Sequence, residues 1–322
     1  MLDVMFYEVF QEEKRALQKY LPKALRVAFS AQTIQQTKAP IPPAAIISIR
    51  TQSHIPRSWS KDLKGILTRS TGHDHLSVFL KDIHKKIPCG YLVDYCSSAV
   101  AEHAILVMLS LLRRLKQQIR QFHVFRRDDI TGQECAGKKM LIIGVGNIGA
   151  KITVLAKALG VQVRGVDLIK RRKDITYVSL EKGIRWADIV VCAAALTDKS
   201  EGLLNYKLFK KAKLGLIFIN VSRGEISPLK DLRRLLDEGI LGGLSLDVYP
   251  DEPRVAEILR GEKKQLARLL KQIHALKDRD NVIFTPHNAF NSREALEQKA
   301  KQTADTLRMF IKKGRFFNQI VH

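Results

Sequence analysis

Three short segments carry residue types that could perform acid/base chemistry on an anionic substrate: Asn220-Val-Ser-Arg223-Gly-Glu, Leu246-Asp247-Val-Tyr-Pro-Asp-Glu252-Pro and Thr285-Pro-His287-Asn-Ala-Phe. Each follows a run of apolar residues. An arginine grips a carboxylate through two parallel hydrogen bonds. A histidine can deliver a proton to an oxygen that is gaining negative charge, and a carboxylate beside it stabilises the imidazolium and keeps the donor charged near neutrality. Arg223, Glu252 and His287 thus form the catalytic set that reduction of a 2-oxo acid requires, a cation for the carboxylate and carbonyl and an acid for the developing alkoxide. Singly, each has a bland reading: a surface ion-pair partner, a solvated loop acid before Pro253, a satisfied histidine at a strand end. Their shared placement favours chemistry, because ligands of an open α/β sheet bind beyond the carboxyl ends of its strands. No metal is needed for that reaction, and none is expected.

A hydride source has its own signature. Gly144-Val-Gly146-Asn147-Ile148-Gly149 follows the apolar run Met140-Leu-Ile-Ile143 and opens a helical pattern. A lone G-x-G-x-x-G is weak, but this strand–turn–helix context makes it specific for a dinucleotide pyrophosphate resting on helix N-terminal amides. Asp167 ends the next strand at about the 20-residue distance where a ribose-binding acid stands. It would accept the adenosine ribose hydroxyls and repel a 2′-phosphate, so NAD is preferred over NADP. Lys170, Arg171 and Arg172 just beyond it work partly against that preference.

These motifs need a scaffold. Apolar runs at Lys139–Ile143, Val161–Val166, Asp188–Ala193, Leu216–Asn220, Leu244–Val248 and Val282–Phe284 read as strands covered on both faces, alternating with helical segments such as Ile148–Leu159 and Leu229–Glu238. That is a doubly wound parallel sheet. Before residue 100 the runs Leu25–Phe29, Ala45–Ile49, Gly65–Thr68 and Tyr91–Val93 predict a second, smaller α/β unit. A long helix over Ser98–Phe125, with Ala101, Ala104, Ile105, Met108, Leu112 and Leu115 on one face, carries the chain between the two. Asn291 and Glu294 suggest a capping box for a last helix, whose apolar face runs Leu296, Ala300, Ala304, Leu307 and Ile311 back to the first lobe. A length of 322 residues is ample for two domains. The opening lacks a cationic and apolar leader, no run is long enough to span a bilayer, and Cys89, Cys96, Cys135 and Cys192 are scattered, so a cytoplasmic location is expected.

The segments closely resemble the D-isomer-specific 2-hydroxyacid dehydrogenase family, in its D-lactate-dehydrogenase-like branch. The likeness runs from Ile66-Leu-Thr-Arg-Ser-Thr71-Gly72-His-Asp74 through Ala99-Val-Ala-Glu102-His103, the glycine motif, the three catalytic segments and the last helix. It implies a central Rossmann domain over 101–288 and a discontinuous flavodoxin-like substrate domain from 1–100 and 289–322. It implies a homodimer packed through the helix near residues 100 to 125. By the same resemblance Arg223 binds the substrate carboxylate and carbonyl, Glu252 pairs with His287, and His287 is the acid/base. Asp247 would hold the nicotinamide carboxamide, and Thr71 and Gly72 would offer amides to the substrate carboxylate. Ala194, Ala195, Val221 and Ser222 join the cofactor set. The chain departs from the family at Ala195, where relatives usually carry proline, and at Gln52, aligned with a pocket tyrosine, with Arg50 two residues before it. It also carries a basic helical insertion, Arg254 to Asp280, whose Leu259, Leu266, Leu269 and Leu270 suggest one packed face covering the cleft edge. A histidine paired with glutamate speaks against a formate-type reaction, and with His322 soon after the last helix a phosphoglycerate dehydrogenase with a regulatory tail is not expected.

The net charge of +23, from 55 Lys and Arg against 32 Asp and Glu, admits a second class: an NAD-sensing or nucleic-acid-associated protein on the same scaffold. The cations are spread along the chain, which fits a solvated basic surface attracting a small 2-oxo or 2-hydroxy acid better than a nucleic-acid partner. The expectation is therefore an NAD-dependent oxidoreductase.

Overall fold

A computed structural model describes residues 2–83, 86–261 and 268–320. The chain forms two compact units, Met1–Cys96 with Asn291–His322, and Ser97–Phe290.

The first unit is built on five parallel strands: β1 (Leu2–Phe6), β2 (Val27–Phe29), β3 (Ala44–Ile49), β4 (Gly65–Thr68) and β5 (Cys89–Gly90). Their order, β2-β1-β3-β4-β5, is that of the flavodoxin-like doubly wound sheet, whose direction of winding reverses between β1 and β3. The opening residues form a central strand, with Val4 and Phe6 fully buried; read only as a possible leader, they give no strand signal because Asp3 breaks the apolar run. Tyr91–Val93 is not a strand. The ladder lies two residues earlier, and Tyr91 and Leu92 donate instead to Asn318 and Ser70 carbonyls. The last helix, Arg293–Lys313, packs on the helix Gln11–Tyr20. Ser292 caps it, accepting from the Ala295 amide at 3.1 Å, so the cap falls one residue after the expected Asn291. Leu296, Ala300, Ala304 and Leu307 are buried as expected, whereas Ile311 is exposed.

The second unit carries seven parallel strands: β6 (Lys139–Ile143), β7 (Gln162–Val166), β8 (Thr176–Tyr177), β9 (Ile189–Cys192), β10 (Leu216–Asn220), β11 (Leu241–Leu246) and β12 (Val282–Phe284). The order β8-β7-β6-β9-β10-β11-β12 is a Rossmann sheet extended by one strand, with its switch point between β6 and β9. The side chains of β9 and β10 are buried throughout, as strands covered on both faces must be. Gly242 and Gly243 mask the start of β11 in the sequence.

The expected single helix over Ser98–Phe125 is two helices, Ser97–Leu112 and Leu115–Gln121. Arg114 between them takes a left-handed φ of 52°, and the Leu112 carbonyl accepts from the Gln133 amide at 2.8 Å instead of continuing the helix. In the insertion, helices Glu252–Leu259 and Arg268–Lys277 bury Val255, Ile273 and Leu276 in the core, whereas Leu259 faces solvent. The side chains of Leu266, Leu269 and Leu270 lie outside the described residues. Among the described residues the insertion's packed face is made by Val255, Ile273 and Leu276. The Lys116 ammonium anchors the far end of the insertion, donating to the carbonyls of Lys277, Arg279 and Val282 at 2.6, 2.8 and 3.1 Å. Among the described residues no helix is long and apolar enough to cross a membrane, and no cluster of histidine, cysteine and carboxylate side chains could hold a metal ion.

Candidate active site

Every side chain of the candidate catalytic set lies in the second unit and is placed by the loop that leaves a strand. The first such loop follows β6. Gly144 has φ +89°, and a Cβ there would stand 2.5 Å from the Ala194 backbone, so only glycine allows the turn to pass the end of β9. Gly149 lies closer still, with a Cβ there 2.1 Å from the Gly144 carbonyl oxygen, which seats the helix Asn147–Ala158 tightly on the turn. Gly146 differs: a Cβ there meets nothing within 4 Å. The space in front of Gly146 and Asn147 is thus open, at the positive end of a helix with no acid in its first turn. These residues fit a dinucleotide pyrophosphate. The Asp167 carboxylate accepts from the amides of Val145 at 2.6 Å and Ile169 at 3.0 Å, which fixes its orientation at the end of β7. A carboxylate offers about four acceptor positions, so room remains for ribose hydroxyls.

The loop after β10 presents Arg223. Asn220, fully buried, holds that loop from inside: its Nδ2 donates to the Arg223 carbonyl and to Ser227 Oγ, both at 2.9 Å, while its Oδ1 accepts from the Ser222 amide and hydroxyl at 3.0 and 2.8 Å. Buried Ser222 also meets Cys192 Sγ at 3.1 Å, and burial pushes that thiol above its ordinary range. Gly224 is the tightest position of the site. A Cβ there would lie 2.0 Å from the Tyr249 carbonyl carbon and 2.2 Å from Pro250 N, so the Arg223 loop lies directly on the segment leading to Glu252.

The loop after β12 presents His287 in a left-handed conformation, φ 51°. Buried Asp247, at the end of β11, braces this turn: Oδ1 accepts from Thr285 Oγ1 at 2.6 Å and the Asn288 amide at 2.8 Å, and Oδ2 from the Ala289 amide at 2.9 Å. Tyr249 Oη donates to the carbonyls of Leu246 and Thr285 from the same side, and burial, aided by the charges of Asp247 and Glu252, pushes its hydroxyl well above the ordinary range. It stays protonated. His103, on the helix Ser97–Leu112, reaches Thr285 Oγ1 at 3.4 Å.

With backbone and brace fixed, His287 Nδ1 meets Glu252 Oε1 at 2.7 Å and Oε2 at 2.9 Å. The two side chains retain 22% and 17% exposure, enough for a substrate to reach the ring and too little for bulk water to screen the pair fully. Nδ1 faces the carboxylate, so Nε2 is the nitrogen left to exchange a proton with a substrate. Phe290 stands edge-on to the imidazole at 6.3 Å between centroids.

Ala194 closes against Gly144, Ala195 is exposed with its carbonyl accepting from Ser200 Oγ at 2.7 Å, and Val221 and Ser222 are buried beside Arg223. Ile148 is half-buried. The remaining predicted residues belong to the first unit. Thr71 is exposed and Gly72 half-buried, and Ser70 Oγ fixes that turn through the Gly72 carbonyl at 2.8 Å. The loop carrying Gln52 is fastened by Glu8, whose carboxylate accepts from the amides of Arg50, Gln52 and Ser53 at 2.9, 2.9 and 3.2 Å. Glu8, Asn220 and Tyr249 carry no role in the sequence reading. Asn220 and Tyr249 sit inside the quoted motifs and are visible there as strand-end polar residues, whereas the partners of Glu8 lie more than forty residues away and leave no local pattern.

The chain is similar to known proteins over most of its length. The family model for the NAD binding domain of D-isomer specific 2-hydroxyacid dehydrogenases matches residues 105–289. A D-lactate dehydrogenase of Streptococcus agalactiae is 29% identical over 243 residues, 73% of this chain and 72% of that protein. A D-specific alpha-keto acid dehydrogenase of Enterococcus faecium is 25% identical over 314 residues, 94% of this chain and 95% of that one. Among solved structures, the D-lactate dehydrogenase from Aquifex aeolicus complexed with NAD and lactic acid superposes with a TM-score of 0.85 at 27% identity, covering 98% of this chain and 99% of that one.

Proposed function

The chain belongs to the D-isomer specific 2-hydroxyacid dehydrogenase family and is an NAD-dependent oxidoreductase, and on that premise we propose that it reversibly reduces a small 2-oxo acid to the D-2-hydroxy acid through Arg223, Glu252 and His287. The observation that carries the proposal is the His287–Glu252 pair, 2.7 Å long, with the Arg223 loop packed on the segment that delivers Glu252. NADH supplies the hydride that adds to C2. Arg223 holds the substrate carboxylate and polarises the carbonyl. His287 gives its Nε2 proton to the carbonyl oxygen as that oxygen gains charge, and Glu252, on Nδ1, orients the ring. In the oxidising direction the same ring takes the hydroxyl proton. Asp247, with three hydrogen bonds from the 285–289 turn, acts here as the brace of His287, and its proposed contact with the nicotinamide carboxamide draws on its remaining acceptor capacity.

The cofactor side supports NAD over NADP. Asp167 is the acid that would accept the ribose hydroxyls, and Arg172, which could answer a 2′-phosphate, makes a two-bond pair with Asp174 at 3.0 Å each. A homodimer is supported by exposed Leu106, Ile119, Phe122, Val124 and Phe125, an apolar run of a kind that monomers rarely leave in water. NADH oxidation with pyruvate, glyoxylate and longer 2-oxo acids, repeated with NADPH, tests the reading. Turnover should collapse in His287→Gln and Arg223→Ala, and normal turnover in either variant would overturn the mechanism. Light scattering on a size-exclusion column tests the dimer.

A further inference from the structure

The turn that carries His287 holds a left-handed φ of 51°, which a residue with a side chain keeps only where its surroundings over-determine it. Thr285, half-buried at the start of that turn, makes bonds through every polar atom it has. Its amide donates to the Leu246 carbonyl at 3.0 Å, and its carbonyl accepts from the His287 amide and from Tyr249 Oη, both at 3.0 Å. Its hydroxyl donates to Asp247 Oδ1 at 2.6 Å and lies 3.4 Å from His103 Nε2. Asp247 Oδ1 also accepts from the Asn288 amide, and Oδ2 from the Ala289 amide.

Counting protons gives this chain of bonds a direction. The Asp247 carboxylate can only accept, so the single hydroxyl proton of Thr285 goes to it, and the Thr285 oxygen is left as an acceptor. His103 Nε2 must therefore carry a proton and donate it, in the neutral ring as in the charged one. His103 stands on the helix Ser97–Leu112, which packs on β10, β11 and β12. Its bond ties the His287 turn to a rigid element outside the strand-end loops. The 2.6 Å bond to a carboxylate is the strong link of the relay, and the 3.4 Å contact with His103 the weak one.

We propose that Thr285, with His103 behind it, is a positioning residue for proton transfer. Its hydroxyl orients Asp247 so that both carboxylate oxygens meet the amides of Asn288 and Ala289, and the turn so fixed aims His287 Nε2 at the reacting oxygen. This role rests on the reduction of a 2-oxo acid by His287 inferred above and leaves its chemistry unchanged. An aim that matters only while the oxygen gains charge is felt in kcat and not in the affinity for substrate or cofactor.

The test uses the full-length protein with NADH and a 2-oxo acid that the parent protein turns over. Thr285→Val, which keeps the shape and removes the hydroxyl, should lower kcat roughly tenfold or more, the worth of one charge-assisted hydrogen bond, with KM and NADH affinity within about twofold of the parent. The solvent deuterium effect on kcat should rise in that variant, because proton delivery becomes the slower step. Thr285→Ser should regain most of the loss. His103→Leu should lower kcat about threefold, as a weak neutral hydrogen bond would, and His103→Gln, whose amide can donate in its place, should regain it. Added to Thr285→Val, the His103→Leu change should cost nothing further, since members of one network do not act independently. Parent-level kcat in Thr285→Val, a change confined to KM or NADH affinity, no recovery in Thr285→Ser, or independent losses in the double variant would overturn the proposal, and a collapse of His287→Gln beside any of these would leave the reductase reading intact. Parent-level turnover in His287→Gln would defeat both.

Discussion

The contact between Gly224 and the Tyr249–Pro250 backbone gives a substitution whose effect on chemistry should far exceed its effect on folding. In Gly224→Ala the new methyl would stand 2.0 Å from a backbone carbon, where ordinary contact begins at 3.4 Å, so the two segments must part by about 1.4 Å. Both neighbours are main chain, and no rotamer change can absorb the strain. One segment carries Arg223 and the other leads to Glu252, so the substrate grip and the proton donor lose register by about 1 Å or more. A misplacement of that size lowers turnover by about 100-fold. Overpacking costs about 1–3 kcal/mol, equivalent to roughly 2–12 °C in Tm for a unit of this size. The glycine loop after β6 is untouched, so NADH binding should persist. The assay pairs steady-state reduction of the best 2-oxo acid with an NADH fluorescence titration and a thermal melt. Turnover at the parent level in folded Gly224→Ala protein would refute the argument that this contact sets the catalytic geometry.

Gly146→Ala should behave in the opposite manner, because its methyl enters open space at φ −75°: the melt stays level or rises while NADH affinity falls, and unchanged affinity would remove the pyrophosphate from this loop. His287→Gln should lower kcat/KM by about 10²–10⁴-fold, the range of a lost general acid. Glu252→Gln keeps the shape but loses a charge-assisted bond, so a smaller, roughly ten- to hundredfold loss is expected, measured on the same substrate. Lys299 predicts a stability profile. Its ordinary value is 10.5 and burial brings it down to about 7 in the folded chain. Below pH 7 both states are protonated and the full burial penalty applies; above it the folded state sheds the proton first, so stability rises toward pH 10. The midpoint difference between Lys299→Met and the parent protein should shrink from pH 6 to pH 9, and a constant difference would contradict the assignment. Glu13, held low by Arg69 and Lys299, acts in the separate window below its ordinary 4.5.

The strands at Lys139–Ile143 and Leu216–Asn220 were legible to the residue because burial on both faces demands an unbroken apolar run, and the half-buried edge strand Val282–Phe284 because its three residues are all apolar. Gly165 and the edge pair Thr176–Tyr177 lie in a sheet that gives no such demand at its margin, so β7 was legible and β8 was not. The break at Arg114 was hidden because apolar periodicity continues to Leu115, and it is a distant amide, that of Gln133, that takes over the Leu112 carbonyl. The acid/base residues were legible because strand-end motifs carry them. Their supports were not: Asn220 and Asp247 matter through hydrogen bonds to turns whose shape no residue spacing encodes.

That contrast separates two sets of supports in this chain. The loops that carry Arg223 and His287 are held by Asn220, Asp247 and the Gly224 contact. Arg50, Gln52 and Lys299 are fixed by Glu8 and Glu13, which belong with them to the other unit. Substitutions at Asp247 or Asn220 should therefore lower turnover for every substrate alike. Asp247 and Glu252 both act on the turn that carries His287, and partners in one hydrogen-bond network do not add in free energy when combined. The double variant Asp247→Asn with Glu252→Gln should lose less than the product of the two single losses, and a full product would mean that the two carboxylates support His287 independently.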